Sequence, residues 1–128
     1  MGEPSAFQDS TSDSNCLFCK IVIGTIPASM VLEHPLAIAF RDINPTAPTH
    51  VLVIPRRHIA HAGTIGAEDV ESVAALFTAA REVAAIDGLT EQGYRLVFNV
   101  GEDAGNSVAH LHLHVIGGRR MGWPPFAP

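Results

Sequence analysis

The stretch HLHLH, residues 110–114, constrains this chain more tightly than any other. In an extended strand, successive side chains point to opposite faces. The alternation predicts His110, His112 and His114 on one face, neighbouring pairs roughly 7 Å apart. Leu111, Leu113 and Val115 then face the other way, into a core. The imidazole face is expected to be an open platform, built from the side chain whose unperturbed pKa lies near ~6.5.

The rest of the pattern supplies that core. CLFCKIVIG reads as a short helix with Leu17, Phe18 and Ile21 on one face and Gly24 as its stop. ASMVLE and LAIAFRD, parted by HP, read as antiparallel strands near 29–33 and 37–42. DINPTAPT is a proline-studded loop and HVLVIP a buried strand ending at Pro55. Residues 67–86 read as a long helix: Val70, Val73, Phe77, Ala80 and Ala84 recur at three- and four-residue steps. Glu68, Asp69 and Glu71 suit its positive end, and Gly88 its stop. YRLVFNV and VAHLHLHVIGG are the fourth and fifth strands, joined by the turn GEDAGNS. Five strands and one long helix predict an α+β fold, an antiparallel sheet covered on one face.

At 128 residues, 47% of them apolar and 16% charged, the chain suits one globular domain with a single core. A net charge of −5 with scattered Lys and Arg speaks against a general nucleic-acid binder. No basic amphipathic stretch or long apolar run points to a membrane. Residues 1–15, MGEPSAFQDSTSDSN, lack a signal-peptide pattern and read as a flexible polar tail. The expected setting is cytoplasmic.

Two chemistries remain open from the residues alone. The thiols of Cys16 and Cys19 are small core residues, a redox pair, or half of a metal site that needs two more ligands. The histidine face is a polar strand face, a metal site, or a nucleophilic centre in which neutral imidazole attacks an acyl or phosphoryl group. Upstream, Gly101 and Gly105 let backbone amides approach an anion, which favours a phosphate ligand beside the imidazoles.

SVAHLHLHVIGG resembles the signature of the histidine triad (HIT) nucleotide-binding proteins. GGRRMGWPP is similar to the close of their Hint branch, and IPA, FRDINPTAPTHVLVIPRRHI and YRLVFNVGEDAG match it in order and spacing. The resemblance covers residues 16 to 125, which implies a tail over 1–15 and a HIT domain over 16–128. It implies a purine nucleoside phosphoramidase that acts on AMP or GMP amides, with a dinucleoside polyphosphate hydrolase or a nucleotide-binding regulator as alternatives. It also implies a homodimer that joins two sheets into one of ten strands.

Residue roles follow from the same resemblance. His112 is the nucleophile, His114 donates to the phosphate, Ser107 contacts the phosphate or the departing group, and His50 stands beside the triad. Asn99 and the Gly105 amide adjoin ribose or phosphate, and Asp42 accepts the ribose hydroxyls. Leu17, Phe18, Ile21, Phe40 and Ile43 form the slot for the base. Cys16, Cys19, His58 and His110 match the structural zinc ligands of zinc-bearing relatives, and no catalytic metal is required. His34 and His61 are expected at the surface. Asn106 stands where the family usually has glutamine, Gly122 replaces a bulkier residue, and FAP extends past the prolines.

Overall fold

A computed structural model describes residues 15–126. The expected tail over 1–15 therefore lies, but for Asn15, outside the described residues. Helix α1 (Leu17–Val22) starts at Cys16, whose Sγ accepts the Cys19 amide at 3.3 Å. Four strands then a fifth follow in the order β1 (Met30–Glu33), β2 (Ala37–Arg41), β3 (Thr49–Pro55), β4 (Tyr94–Val97) and β5 (Leu113–Gly117). They form one sheet, ordered β1-β2-β3-β5-β4, and each neighbouring pair is antiparallel.

The long helix α2 (Val70–Ile86) crosses from β3 to β4. Residues 67–69, read as its first turn, form a separate 3-10 turn instead. Gly88, at φ +73°, stops it as expected. The Leu89 amide then returns to the Ala84 carbonyl at 2.8 Å and the Gly88 amide to Ala85 at 3.2 Å, the Schellman arrangement.

The buried face of α2 is the one the periodicity favoured at Ala80 and Ala84 but not at Val70 and Phe77. Ser72, Ala75, Leu76, Ala79, Ala80, Val83 and Ala84 are buried, while Val70 and Phe77 are 64% and 46% exposed. Alanines let the helix axis lie close to the sheet, where Ala37, Ala39, Val51, Val53, Leu113 and Val115 meet it. Leu113→Ala in this core would cost about 2–5 kcal/mol in lost contacts and cavity.

The other face of the sheet is also covered, over β2 and β3, by α1. Phe18, Cys19 and Ile21 pack there on Ile38, Phe40, Leu52 and Ile54. Leu17, expected on the same face, is 46% exposed. Residues of β2 and β3 are consequently buried on both sides. Among the described residues, no helix is long and apolar enough to cross a membrane.

Candidate active site

The leucine half of the alternation holds: Leu111, Leu113 and Val115 are buried under α2. The histidine half divides. Only His114 lies within β5; His110 and His112 precede it, where the Leu111 amide bonds the Ile59 carbonyl at 2.6 Å instead of a neighbouring strand. His110 is fully buried, so the expected open platform of three imidazoles is corrected to two. α1 covers the position that strand geometry alone left open.

His110 belongs to a different constellation. One ligand atom from each of Cys16, Cys19, His58 and His110 lies within 4.8 Å of the others. His110 Nδ1 is 3.3 Å from Cys16 Sγ and 3.5 Å from Cys19 Sγ, and His58 Nδ1 is 3.3 Å from Cys19 Sγ. Tetrahedral zinc with ordinary Zn–S and Zn–N bonds sets neighbouring S and N ligands about 3.5 Å apart, so the donor set fits that ion. The Pro55 carbonyl, 3.0 Å from His110 Nε2, can only accept, which puts the ring proton on Nε2 and turns the Nδ1 lone pair to the thiols. Burial, against the pull of that carbonyl, pushes the His110 pKa down to about 4.

His112 is oriented by the same segment. Its Nδ1 lies 2.7 Å from the His110 carbonyl oxygen. A carbonyl accepts, so Nδ1 carries the proton and Nε2 of the neutral ring keeps its lone pair. Phe18 stands edge-on to this ring at 5.2 Å between centroids.

His114 pairs with His50 on β3, Nδ1 to Nε2 at 2.9 Å. Burial first, then the neighbouring His112 and His50 rings, push the His114 pKa down to about 4. Asp42 Oδ2 is 3.4 Å from His50 Nε2. Asp42, His50 and His114 also lie within 4.8 Å as a set of potential ligands. The Thr46 amide donates to His50 Nδ1 at 3.1 Å, however, so neutral His50 has its proton, not a lone pair, at Nε2. His50 and His114 are therefore joined by a hydrogen bond, with the Asp42 carboxylate beside them, rather than arranged as a metal cage.

Both rings open on a groove of about 430 Å³. Every residue expected to hold the nucleotide, from Leu17 to His114, borders it, while His50 stands behind His114. Phe18, Ile21 and Phe40 make an apolar end, with Ile43 exposed at the rim. Asp42, Asn99, Ser107, His112 and His114 supply polar groups to the groove lining. The Gly105 amide, expected at the ligand, donates to the Glu102 carbonyl at 2.9 Å and closes its own turn. Gly101 and Gly105 take φ of +83° and +78° to make that turn, which places Ser107 on the wall.

Sequence reasoning missed Ile26, Ala28, Leu52 and Val108 on the apolar wall. Val108 and Leu52 had a signal, since each sits two residues from an assigned partner on an alternating stretch. Thr46 had none, because it acts through a backbone amide. His34 and His61, expected as surface residues, are half-buried turn formers that accept the Leu36 and Gly63 amides.

The fold and this imidazole-lined groove define a class. The HIT domain family matches residues 24–121, and the chain belongs to it. A crystal structure of a HIT family hydrolase from Legionella pneumophila is similar, with TM-score 0.84 and 52% identity over 87% of this chain and 99% of that one. The 14 kDa zinc-binding protein of Zea mays is 45% identical over 115 residues, 88% of this chain and 89% of its own. The purine nucleoside phosphoramidase of Escherichia coli is 40% identical over 106 residues, 83% of this chain and 89% of its own.

Proposed function

We propose that this chain is a nucleotidyl hydrolase that cleaves the P–N bond of purine nucleoside 5′-phosphoramidates. One observation carries the reading: His112 Nδ1 lies 2.7 Å from the His110 carbonyl oxygen, so the neutral ring keeps its lone pair on Nε2, and the ring borders the groove. Imidazole in that tautomer attacks phosphorus. The P–N bond breaks with its electron pair going to the amine nitrogen, which takes a proton from solvent through the Ser107 hydroxyl as it departs, and a nucleotidyl-His112 remains; the proton is returned to solvent when water attacks in the second step. Water then attacks phosphorus and releases the nucleotide and neutral His112. Splitting one displacement into two in this way lowers each barrier.

The other groups bind and orient. His114 donates Nε2–H to a phosphate oxygen. Asp42, an acceptor, takes both ribose hydroxyls. Asn99 and Gly105 border ribose and phosphate, and Leu17, Phe18, Ile21, Phe40 and Ile43 hold the base. His50 fixes His114. Every step is carried by these groups and the nucleotide.

Cys16, Cys19, His58 and His110 would hold a structural Zn2+, for which their separations and the His110 tautomer fit. Bound there, the ion supplies a cross-link between α1 and the segment leading into β5. The zinc-binding relative supports this assignment. We also infer a HIT domain over 16–128, a cytoplasmic setting compatible with thiol ligands, and a homodimer built on the exposed side of α2 and the β4 edge.

A fluorogenic AMP amide tests the activity. Turnover lost on His112→Ala supports it. Faster cleavage of a dinucleoside polyphosphate would replace the substrate, and tight AMP binding without turnover would make the chain a regulator.

A further inference from the structure

The hydrogen bonds among Thr46, His50, His114 and Asp42 have a direction. The Thr46 amide can only donate, and it reaches His50 Nδ1 at 3.1 Å. The proton of neutral His50 is therefore on Nε2. His114 Nδ1 accepts that proton at 2.9 Å, and the Asp42 carboxylate lies beside the same nitrogen at 3.4 Å, near enough to pull on it. If His114 accepts, its own proton must sit on Nε2. That nitrogen is buried and meets no hydrogen-bond partner among the described residues. An unmet buried donor in the groove lining is set for a ligand oxygen.

Asp42 is thus tied to two tasks. It borders the groove, and it competes for the proton that sets the neighbouring ring. Its Oδ1 already accepts the Asn44 amide at 2.8 Å, which fixes the carboxylate in place.

We propose that His50 is a positioning residue that couples ribose occupancy at Asp42 to the tautomer of His114. The ligand's identity rests on the phosphoramidase reading above; the relay does not. With Asp42 free, the carboxylate pulls the His50 ring so that its Nε2–H swings off His114, and His114, while it faces no donor, exchanges between its two neutral tautomers. A ribose diol donates two hydrogen bonds to the carboxylate and weakens that pull. The His50 proton then stays on the His114 side, and His114 holds one form, with Nε2–H available to phosphate. No net proton is gained or lost. The ribose hydroxyls accordingly act on kcat as well as on KM.

Histidine-ring 15N spectra of the full chain test this, with AMP and 2′,3′-dideoxy-AMP as probes at saturation. With AMP, His50 and His114 should each show a protonated Nε2 and a bare Nδ1. With the dideoxy nucleotide, the His114 nitrogens should show averaged shifts. His50→Phe should leave His114 averaged with either ligand. It should lower kcat for an AMP amide about tenfold, the worth of one aligning hydrogen bond, with KM within about twofold. His50→Gln, which keeps an N–H donor, should recover part of the loss. The ligand comparison uses the unaltered chain and does not depend on either variant folding. A proton at His114 Nδ1 with AMP bound, or identical His114 spectra with the two ligands, overturns the coupling. If AMP amides are still turned over in that case, the phosphoramidase reading survives; if AMP binds nowhere, both fail.

Discussion

The ring of Phe18 stands at 89° to that of His112, centroids 5.2 Å apart. The same phenyl ring meets His110 at 5.9 Å and Phe40 at 5.6 Å. Phe18 lies between Cys16 and Cys19 in sequence, so the two thiols bracket the residue that touches the His112 ring and walls the groove. The position of α1 therefore sets the binding slot and the His112 ring together.

From this follows a prediction about metal. Protein purified without chelator should contain about one zinc per chain by elemental analysis. Cys16→Ser should lower zinc content and melting temperature together, with unfolding free energy falling by about 4 kcal/mol or more, a size reached when a metal site is lost. Activity should fall only as α1 loosens, with KM rising first. A metal-free native chain of unchanged stability refutes the cross-link.

His112→Ala should abolish turnover of an AMP amide, by about 10⁴-fold or more, since the covalent step is gone. AMP binding should remain, because base and ribose contacts come from α1, Phe40 and Asp42. Intact-mass analysis during turnover should place the nucleotide adduct on His112. An adduct elsewhere sinks the assignment.

Much of this site could be read from sequence because its determinants are short-range. Leu111, Leu113 and Val115 alternate and are buried, and the cysteine pair and the histidines sit together as the resemblance implied. What failed needs long-range packing. Strand geometry puts His110 with His112 and His114, yet α1 folds over it and buries it. Val70 and Phe77 outrank alanine in apolarity, so the helical period favoured them along with Ala80 and Ala84, but close approach to the sheet selects Ala75 and Ala79 in their place. The Thr46 amide that orients His50 leaves no mark in side-chain chemistry.

Asp42→Ala should weaken binding of a ribonucleotide through the loss of charge-assisted hydrogen bonds worth about 1.5–3 kcal/mol each. The loss for the 2′,3′-dideoxy analogue should be much smaller. Titration calorimetry with both ligands decides. Equal losses would make Asp42 a structural residue only.

The exposed Val70 and Phe77 on α2, with the edge of β4 that pairs with no strand among the described residues, predict a twofold dimer. Light scattering at micromolar concentration should give twice the 13.6 kDa chain mass. Phe77→Glu, a residue 46% exposed and outside the core cluster, should weaken association about a hundredfold, roughly 2.7 kcal/mol. The monomer mass for the unaltered chain refutes the interface.

The last prediction concerns acid stability. Arg41 at the end of β2 donates to both oxygens of Asp87 at 2.6 and 2.9 Å, and the Thr49 hydroxyl adds a third bond at 2.7 Å. Asp87 caps the C-terminus of α2, so this cluster ties helix to sheet. The Arg41 guanidinium, joined by Thr49, holds the Asp87 carboxyl below its ordinary value of 3.8. A depressed folded pKa means the unfolded chain takes up the proton first as pH falls. The stabilisation is therefore complete at neutral pH and is lost as pH drops below that ordinary value and through the lower folded one. Asp87→Asn should cost about 2 kcal/mol at pH 7, less than three separate bonds because Arg41 is 39% exposed and screened. Denaturant melts of both chains from pH 7 to 2.5 should show the gap narrowing only in the most acid samples. A gap that stays constant to the lowest pH would mean that the carboxylate's charge contributes nothing, and that shape alone joins α2 to the sheet.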